Sequence, residues 1–89
     1  MKVVKIGSLA CMSCIVMDQI FDKVKSDYDF DFVSYDYDFD EDKVKEFDLG
    51  KTLPVYIFYK GEKEIGRIIG EKSEKEFRKE IERFLNEEN

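Results

Sequence analysis

The sequence predicts an α/β fold of order βαβαββα, with a mixed four-stranded sheet flanked by three helices. A short apolar run at residues 3–6 is followed by a segment whose apolar residues recur at three- and four-residue spacing, which predicts a strand and then a helix. Two β-prone runs, at residues 55–59 and 64–69, flank a turn at Gly61 and predict an antiparallel hairpin. We expect residues 1–89 to form a single domain with the first two strands parallel.

The first strand and helix flank the only two cysteines, Cys11 and Cys14. Residues 7–10 form the connecting loop, and the helix is expected to begin at the cysteines and to end at Lys25. Its apolar side is predicted to carry Cys14, Met17, Phe21 and Val24. This places Cys11 at a helix N-terminus and Cys14 one turn later, on the side that faces the core.

The middle of the chain alternates aromatic and acidic residues. The apolar residues of segment 28–38 stand at every second position, first at even numbers up to 32 and then at odd numbers from 33. Around residues 32–35 the two series meet, which predicts a strand buried on both faces there. A low-complexity tract is the alternative. Acidic residues at 40–42, followed by Val44 and Phe47, predict a short helix that Gly50 ends.

The final helix is predicted from a start signal and an apolar stripe. Ser73 and Glu76 have the spacing of a capping box, and Glu74 and Arg78 have that of an i,i+4 ion pair. The stripe consists of Phe77, Ile81, Phe84 and Leu85.

The charge and hydropathy of the chain exclude several classes of protein. A net charge of −6 disfavours nucleic-acid binding. No apolar run is long enough to span a membrane or to serve as a signal peptide, so we expect a soluble, cytoplasmic protein. Segment 27–48 carries ten acidic residues and two lysines. If it lies away from the cysteines, their surroundings are neutral to basic, which favours a thiolate.

The spacing of the cysteines points to redox chemistry. The N-terminus of a helix favours a negative group, so Cys11 is expected to be an exposed, attacking thiolate, with Cys14 as a shielded, resolving thiol. A disulfide between them would close almost no loop and would add little stability. A redox role therefore explains the pair better than a structural one.

These features resemble the thioredoxin family over nearly the whole chain. The C-x-x-C motif lies at a strand-to-helix junction, and a single proline, Pro54, starts a strand about forty residues later. The resemblance implies a monomeric thiol-disulfide oxidoreductase with Cys11 as nucleophile and Cys14 as resolving thiol. It also implies disulfide-containing protein substrates, a reductase or glutathione as electron donor, and no cofactor or metal beyond the Cys11–Cys14 disulfide.

The resemblance also implies a substrate-binding surface. Pro54 would be the family's cis-proline, packed against the disulfide, and Leu53 would offer its backbone N–H and C=O to an extended substrate. Gly70 matches the glycine that lets a substrate approach closely. Met12 and Ser13 lie between the cysteines, where the flexible apolar side chain of Met12 suits contact with protein partners.

The chain departs from the family pattern at several positions. Ala10 replaces an aromatic residue before the motif, and Met-Ser replaces Gly-Pro within it. The buried acid of thioredoxins falls at Lys5, and its lysine partner falls near Ser34, which removes the usual proton acceptor for Cys14. The layout is that of a shortened thioredoxin, closer to glutaredoxins, without an evident glutathione-binding pattern.

Three other interpretations stay open at this level. The cysteines could be inert, or the fold could serve as a binding or redox-sensing module without turnover. Residues 9–14 are also spaced like the loop of copper chaperones, and paired thiolates suit Cu(I) or half of a zinc site. Against metal binding, the chain has no histidine, and its predicted final element is a helix where a copper chaperone has a strand.

Overall fold

A mixed sheet with strand order β2-β1-β3-β4 forms the centre of the molecule. The structure, a computed structural model, describes residues 1–87. The elements in chain order are β1 (Lys2–Gly7), α1 (Met12–Lys25), β2 (Asp31–Asp36), α2 (Glu41–Val44) continued by a 3-10 turn (Lys45–Phe47), β3 (Val55–Lys60), β4 (Lys63–Ile69) and α3 (Glu74–Glu87). β1 is parallel to β2, and β3 is antiparallel to both β1 and β4. The predicted fold class is confirmed.

The two central strands, β1 and β3, send alternate side chains into two separate cores. Because successive side chains of a strand point to opposite faces, Val3 of β1 packs beneath α1 and α3, whereas Val4 packs toward α2. Tyr56 and Ile57 divide in the same way on β3. The larger core contains Val3, Met17, Phe21, Val24, Tyr56, Phe58, Ile68, Phe77, Ile81 and Phe84.

The prediction that the second strand is buried on both faces at its centre is wrong. β2 is an edge strand, Phe32 is 47% exposed, and Ser34 is exposed as well. Val33 and Tyr35 are only partly buried against the smaller core. An edge strand has a neighbour on one side only, and aspartates along such a strand discourage pairing with another chain.

The second helix also ends earlier than predicted. It spans Glu41–Val44, continues as the 3-10 turn to Phe47, and ends at Asp48, which has a left-handed backbone with φ of 52°. Gly50 is therefore not its terminator. An aspartate can adopt this conformation because its short polar side chain tolerates the left-handed region.

The last helix begins as the capping-box spacing predicts. The Ser73 hydroxyl accepts the backbone N–H of Glu76 at 3.1 Å and donates to the Glu76 carboxylate at 3.1 Å. Arg78 pairs with Glu74 at 3.0 Å. The stripe is buried as predicted at Phe77, Ile81 and Phe84, and Leu85 is partly buried. None of the helices within residues 1–87 is long and apolar enough to cross a membrane.

Gly66 of β4 leaves room for an aromatic ring of α3. A Cβ atom at this position would lie 2.3 Å from the Phe84 ring, which is far inside van der Waals contact. Gly66→Ala is therefore expected to lower the free energy of unfolding by about 1–3 kcal/mol, because the ring must move within a packed core. Urea unfolding followed by far-UV circular dichroism measures the change.

Gly50→Ala is the matched control, since a Cβ atom there meets nothing within 4 Å. We expect this variant to unfold within about 0.5 kcal/mol of the wild-type protein. Equal stability of the two alanine variants would contradict the packing assigned to Gly66.

Candidate active site

Cys11 occupies the N-cap position of α1. Its backbone is extended, with φ of −100° and ψ of 113°, and its N–H donates to the carbonyl of Ser8 at 3.2 Å. The Cys11 sulfur accepts the backbone N–H of Cys14 at 3.2 Å. A sulfur that caps a helix faces unpaired N–H groups and the positive end of the helix dipole, which favour a negative charge on it. Cys11 is also half-buried, so its sulfur is open to a partner on one side.

Cys14, the second cysteine of the motif, lies on the buried side of the first turn of α1. It is 4% exposed, and a Cβ atom on Gly7 would lie 3.3 Å from its sulfur, so the glycine of β1 leaves space for the thiol. Burial, together with the side-chain hydrogen bond to Cys11 and the charges of Cys11 and Asp18, raises the pKa of Cys14 to about 11. The two cysteines therefore differ in access: Cys14 is shielded as predicted, whereas Cys11 is half-buried and not fully exposed. Cys14 is held in its neutral form.

The loop before β3 lies directly against Cys11. The Leu53–Pro54 peptide bond is cis, and the carbonyl oxygen of Leu53 is 3.9 Å from the Cys11 sulfur. The N–H of Gly70 donates to the carbonyl of Pro54 at 2.9 Å, and Gly70 has a φ of +82° that favours glycine. The structure thus brings Leu53, Pro54 and Gly70 together next to the motif.

The surface around Cys11 is apolar and exposed. Met12 is 74% exposed and Leu9 is 80% exposed, while Ser13 is half-buried in the first turn of α1. Ile15 and Val16 extend the apolar surface along the outer side of α1. Large apolar side chains exposed in this way are typical of protein-interaction surfaces.

The acidic segment lies next to the cysteine loop, so the condition under which the surroundings of the cysteines would be neutral to basic is not met. Because β1 and β2 are parallel, their C-terminal ends meet at one edge of the sheet, and the N–H of Tyr37 donates to the carbonyl of Gly7 at 2.7 Å. The Asp38 carboxylate accepts the Ser8 hydroxyl at 2.9 Å, and the Asp36 carboxylate accepts the N–H of Asp38 at 2.8 Å. These aspartates order the loop that carries Cys11.

A polar cluster that the sequence analysis missed lies behind Cys14. Asp18 of α1 forms an ion pair with Lys5 of β1, and the side chain of Lys5 is only 18% exposed. Lys5 lies opposite Tyr56 of β3 and beside Ser34 of β2. The Tyr56 side chain is completely buried, and within residues 1–87 its hydroxyl has no hydrogen-bond partner.

One member of this cluster could have been found from spacing alone. Asp18 follows Cys14 by four residues, which places both on one side of a helix. The sequence gives no means of pairing Lys5 with Asp18, because that contact depends on how α1 crosses β1. The position of Tyr56 depends on the register between β1 and β3.

No metal site is evident in the part of the chain that the structure describes. Within it, no three side chains among the cysteines, aspartates and glutamates come together in a way that could hold a metal ion. The acidic side chains near the motif are instead engaged with backbone N–H groups, Ser8 and Lys5.

Comparison with known proteins identifies the family. A solved thioredoxin of Nicotiana alata, NaTrxh, is 30% identical, covers 93% of this chain and 71% of its own, and superposes with a TM-score of 0.81. The chain belongs to the thioredoxin family. Mitochondrial thioredoxin 3 of Saccharomyces cerevisiae is 28% identical, with a TM-score of 0.79 and coverage of 91% of this chain and 76% of its own.

A solved structure described as a malarial protein shares the fold at 22% identity. It covers 94% of this chain and 96% of its own, with a TM-score of 0.82. No family model and no curated protein sequence matches the chain. The family is therefore visible in the arrangement of its elements more than in its residues.

The raised pKa of Cys14 predicts a pH dependence of stability in the reduced protein. An unfolded cysteine loses its proton near pH 9.0, whereas folded Cys14 keeps it to about pH 11. The stabilisation from this difference is complete below the unfolded value and is lost as the pH rises through that window, by up to about 3 kcal/mol. Urea unfolding of the reduced protein at a series of pH values measures the loss.

Cys14→Ala is the control for the other groups that titrate at alkaline pH, among them the tyrosines. Its stability is expected to fall less than that of the wild-type protein between pH 9.0 and about pH 11. An equal fall in both proteins would show that Cys14 does not cause the dependence.

Proposed function

We propose that this thioredoxin-family protein is a thiol-disulfide oxidoreductase that reduces disulfides in other proteins. The observation that carries the proposal is the asymmetry of its two thiols. Cys11 caps α1 and is half-buried, whereas Cys14 is buried in the first turn of the helix. Such a pair suits a reaction in which one sulfur meets the substrate and the other acts only afterwards.

In the first step the Cys11 thiolate attacks one sulfur of the substrate disulfide. The substrate S–S bond breaks, its second sulfur leaves as a thiolate that takes a proton from solvent, and a mixed disulfide joins Cys11 to the substrate. The N–H of Cys14 and the dipole of α1 stabilise the attacking thiolate before the bond forms.

In the second step Cys14 loses its proton and attacks the sulfur of Cys11. The bond between Cys11 and the substrate breaks, the substrate leaves as its second thiol, and the Cys11–Cys14 disulfide forms. The substrate gains two electrons and the protein loses two. The burial of Cys14 keeps it from competing for the substrate in the first step.

The surroundings of Cys11 suit an extended segment of a protein substrate. The carbonyl of Leu53 already lies within 3.9 Å of the Cys11 sulfur, and its backbone can pair with a substrate strand. Met12 offers an exposed apolar contact, while Pro54 and Gly70 are buried behind Leu53, where the Gly70 N–H holds the Pro54 carbonyl. Ser13, between Met12 and Cys14, completes this proposed binding surface.

The partners follow from the chemistry. Disulfide-containing proteins are the substrates, and either a reductase or glutathione returns two electrons to the Cys11–Cys14 disulfide. The reaction needs no other cofactor, because thiol-disulfide exchange passes electrons directly between sulfurs. We place this activity in the cytoplasm, where thiols are kept reduced.

Substitution of each cysteine separates their roles. Cys14→Ser is expected to accumulate a covalent adduct with a disulfide substrate, because the mixed disulfide on Cys11 can no longer be resolved. Cys11→Ser is expected to form essentially none, because Cys14 is buried. Non-reducing gel electrophoresis and mass spectrometry of the adduct measure both. Equal trapping by the two variants would overturn the assignment.

Turnover is tested by the reduction of insulin with dithiothreitol as electron donor. We expect the wild-type protein to speed the reaction at least about tenfold over dithiothreitol alone, and Cys11→Ser to abolish the gain. A wild-type rate equal to background would favour a binding or redox-sensing module without turnover. That outcome would contradict the proposed enzyme.

A further inference from the structure

The resolving step requires a proton to leave a buried thiol. Cys14 is 4% exposed, and this burial is the largest cause that raises the pKa of its thiol, so little thiolate is present near neutral pH. Only the thiolate attacks a disulfide efficiently. A nearby group that accepts this proton would therefore speed the step.

Asp18 shares a cavity with Cys14. The cavity has a volume of about 130 Å³ and is lined by both residues together with Lys5, Ser34 and Asp36. This volume can hold several water molecules, since one takes about 30 Å³ in the liquid. Water in this cavity can therefore connect the thiol with the carboxylate and carry a proton from one to the other.

The carboxylate of Asp18 is held in place and partly removed from solvent. Its Oδ1 atom is buried, and Lys5 forms an ion pair with that same atom. The buried hydroxyl of Tyr56 belongs to the same surroundings, since the pKa of Tyr56 is raised first by burial and then by the charges of Asp18 and Cys14. A negative charge that forms on Cys14 or Asp18 therefore lies close to polar groups that can stabilise it.

We propose that Asp18, oriented by Lys5, accepts the proton of Cys14 when Cys14 attacks the mixed disulfide. The inference rests on the proposed function. The S–H bond of Cys14 breaks as its sulfur bonds to the Cys11 sulfur, the proton moves to the Asp18 carboxylate, and the substrate leaves as a thiolate. That thiolate, or solvent, then takes the proton from Asp18, which restores the carboxylate.

Asp18 is not the acid that the resemblance to thioredoxins would supply. The strand position of that acid holds Lys5 here, and the carboxylate comes from the helix, one turn after Cys14. The charged and titratable groups that face Cys14 are Asp18 and Cys11 of the α1 segment, Lys5 of β1, Tyr56 of β3, and Tyr35 and Asp36 of β2.

A proton acceptor and a mere neighbouring charge predict opposite effects of removing the carboxylate. A negative charge near Cys14 disfavours its thiolate, so losing only that charge would make Cys14 easier to ionise and would speed the resolving step. Losing a proton acceptor would slow the step. The sign of the change in Asp18→Asn therefore distinguishes the two roles.

The test is stopped-flow reaction of the reduced protein with one equivalent of 5,5′-dithiobis(2-nitrobenzoate). The first thionitrobenzoate is released when Cys11 attacks, and the second when Cys14 resolves the mixed disulfide, so each step has its own rate. At about pH 7 we expect Asp18→Asn to slow the second release about tenfold or more and to leave the first within about twofold. The deficit should shrink as the pH approaches 11, where Cys14 ionises without help.

Two further variants serve as controls. Asp18→Glu, which keeps the carboxylate, is expected to restore the second rate to within about threefold of wild type. Asp22→Asn removes a carboxylate one turn further along α1, where the side chain is 69% exposed and paired with Lys25, and should change neither rate. If Asp18→Asn does not fold, Lys5→Gln/Asp18→Asn leaves no unpaired charge and is expected to show the same slow second release.

The outcomes separate this inference from the proposed function. A second release in Asp18→Asn that is unchanged or faster than in wild type overturns the role of Asp18 and leaves the oxidoreductase intact. A second release slowed equally at every pH would show a structural effect and would also overturn it. Failure of the wild-type protein to release a second equivalent would overturn both.

Discussion

The alternation of side chains along the two central strands is the constraint on which the site depends. Because β1 and β3 are both covered on two faces, each position on them is assigned to one core or the other. Lys5 and Tyr56 are paired across these strands and share the face beneath α1. A charged residue on a buried face needs a partner, and Asp18 on α1 provides it. The region behind Cys14 is polar for this reason.

The acidic residues after β2 order the motif loop through hydrogen bonds. The Asp40 carboxylate accepts the N–H of Asp36 at 2.8 Å, and Asp38 accepts the Ser8 hydroxyl. The first bond orders the turn after β2, and the second joins that turn to residues 7–10, from which Cys11 enters α1. The aspartates of this segment thus stabilise the motif loop. They also bring negative charge close to the cysteines.

The differing roles of the two cysteines come from one turn of helix. At the N-cap position, Cys11 faces the unpaired N–H groups of the helix. Cys14, three residues later in the first turn, points toward Gly7 and the core. Asp18 lies one turn further along α1, so the buried thiol and a carboxylate of the same helix line one cavity. The start of α1 therefore leaves the Cys11 side accessible to a substrate and places the proposed proton acceptor near Cys14.

The sequence by itself determined the order of the elements, the helix start at Cys11, the hairpin, and the capping and stripe of α3, because these depend on contacts between residues close in the chain. Only the tertiary structure decided that β2 is an edge strand, that the acidic segment returns to the motif, and that Lys5 meets Asp18 opposite Tyr56. Those facts depend on strand order, register and the crossing of a helix over a sheet. Periodicity describes which face a residue occupies, and it does not say which element covers that face.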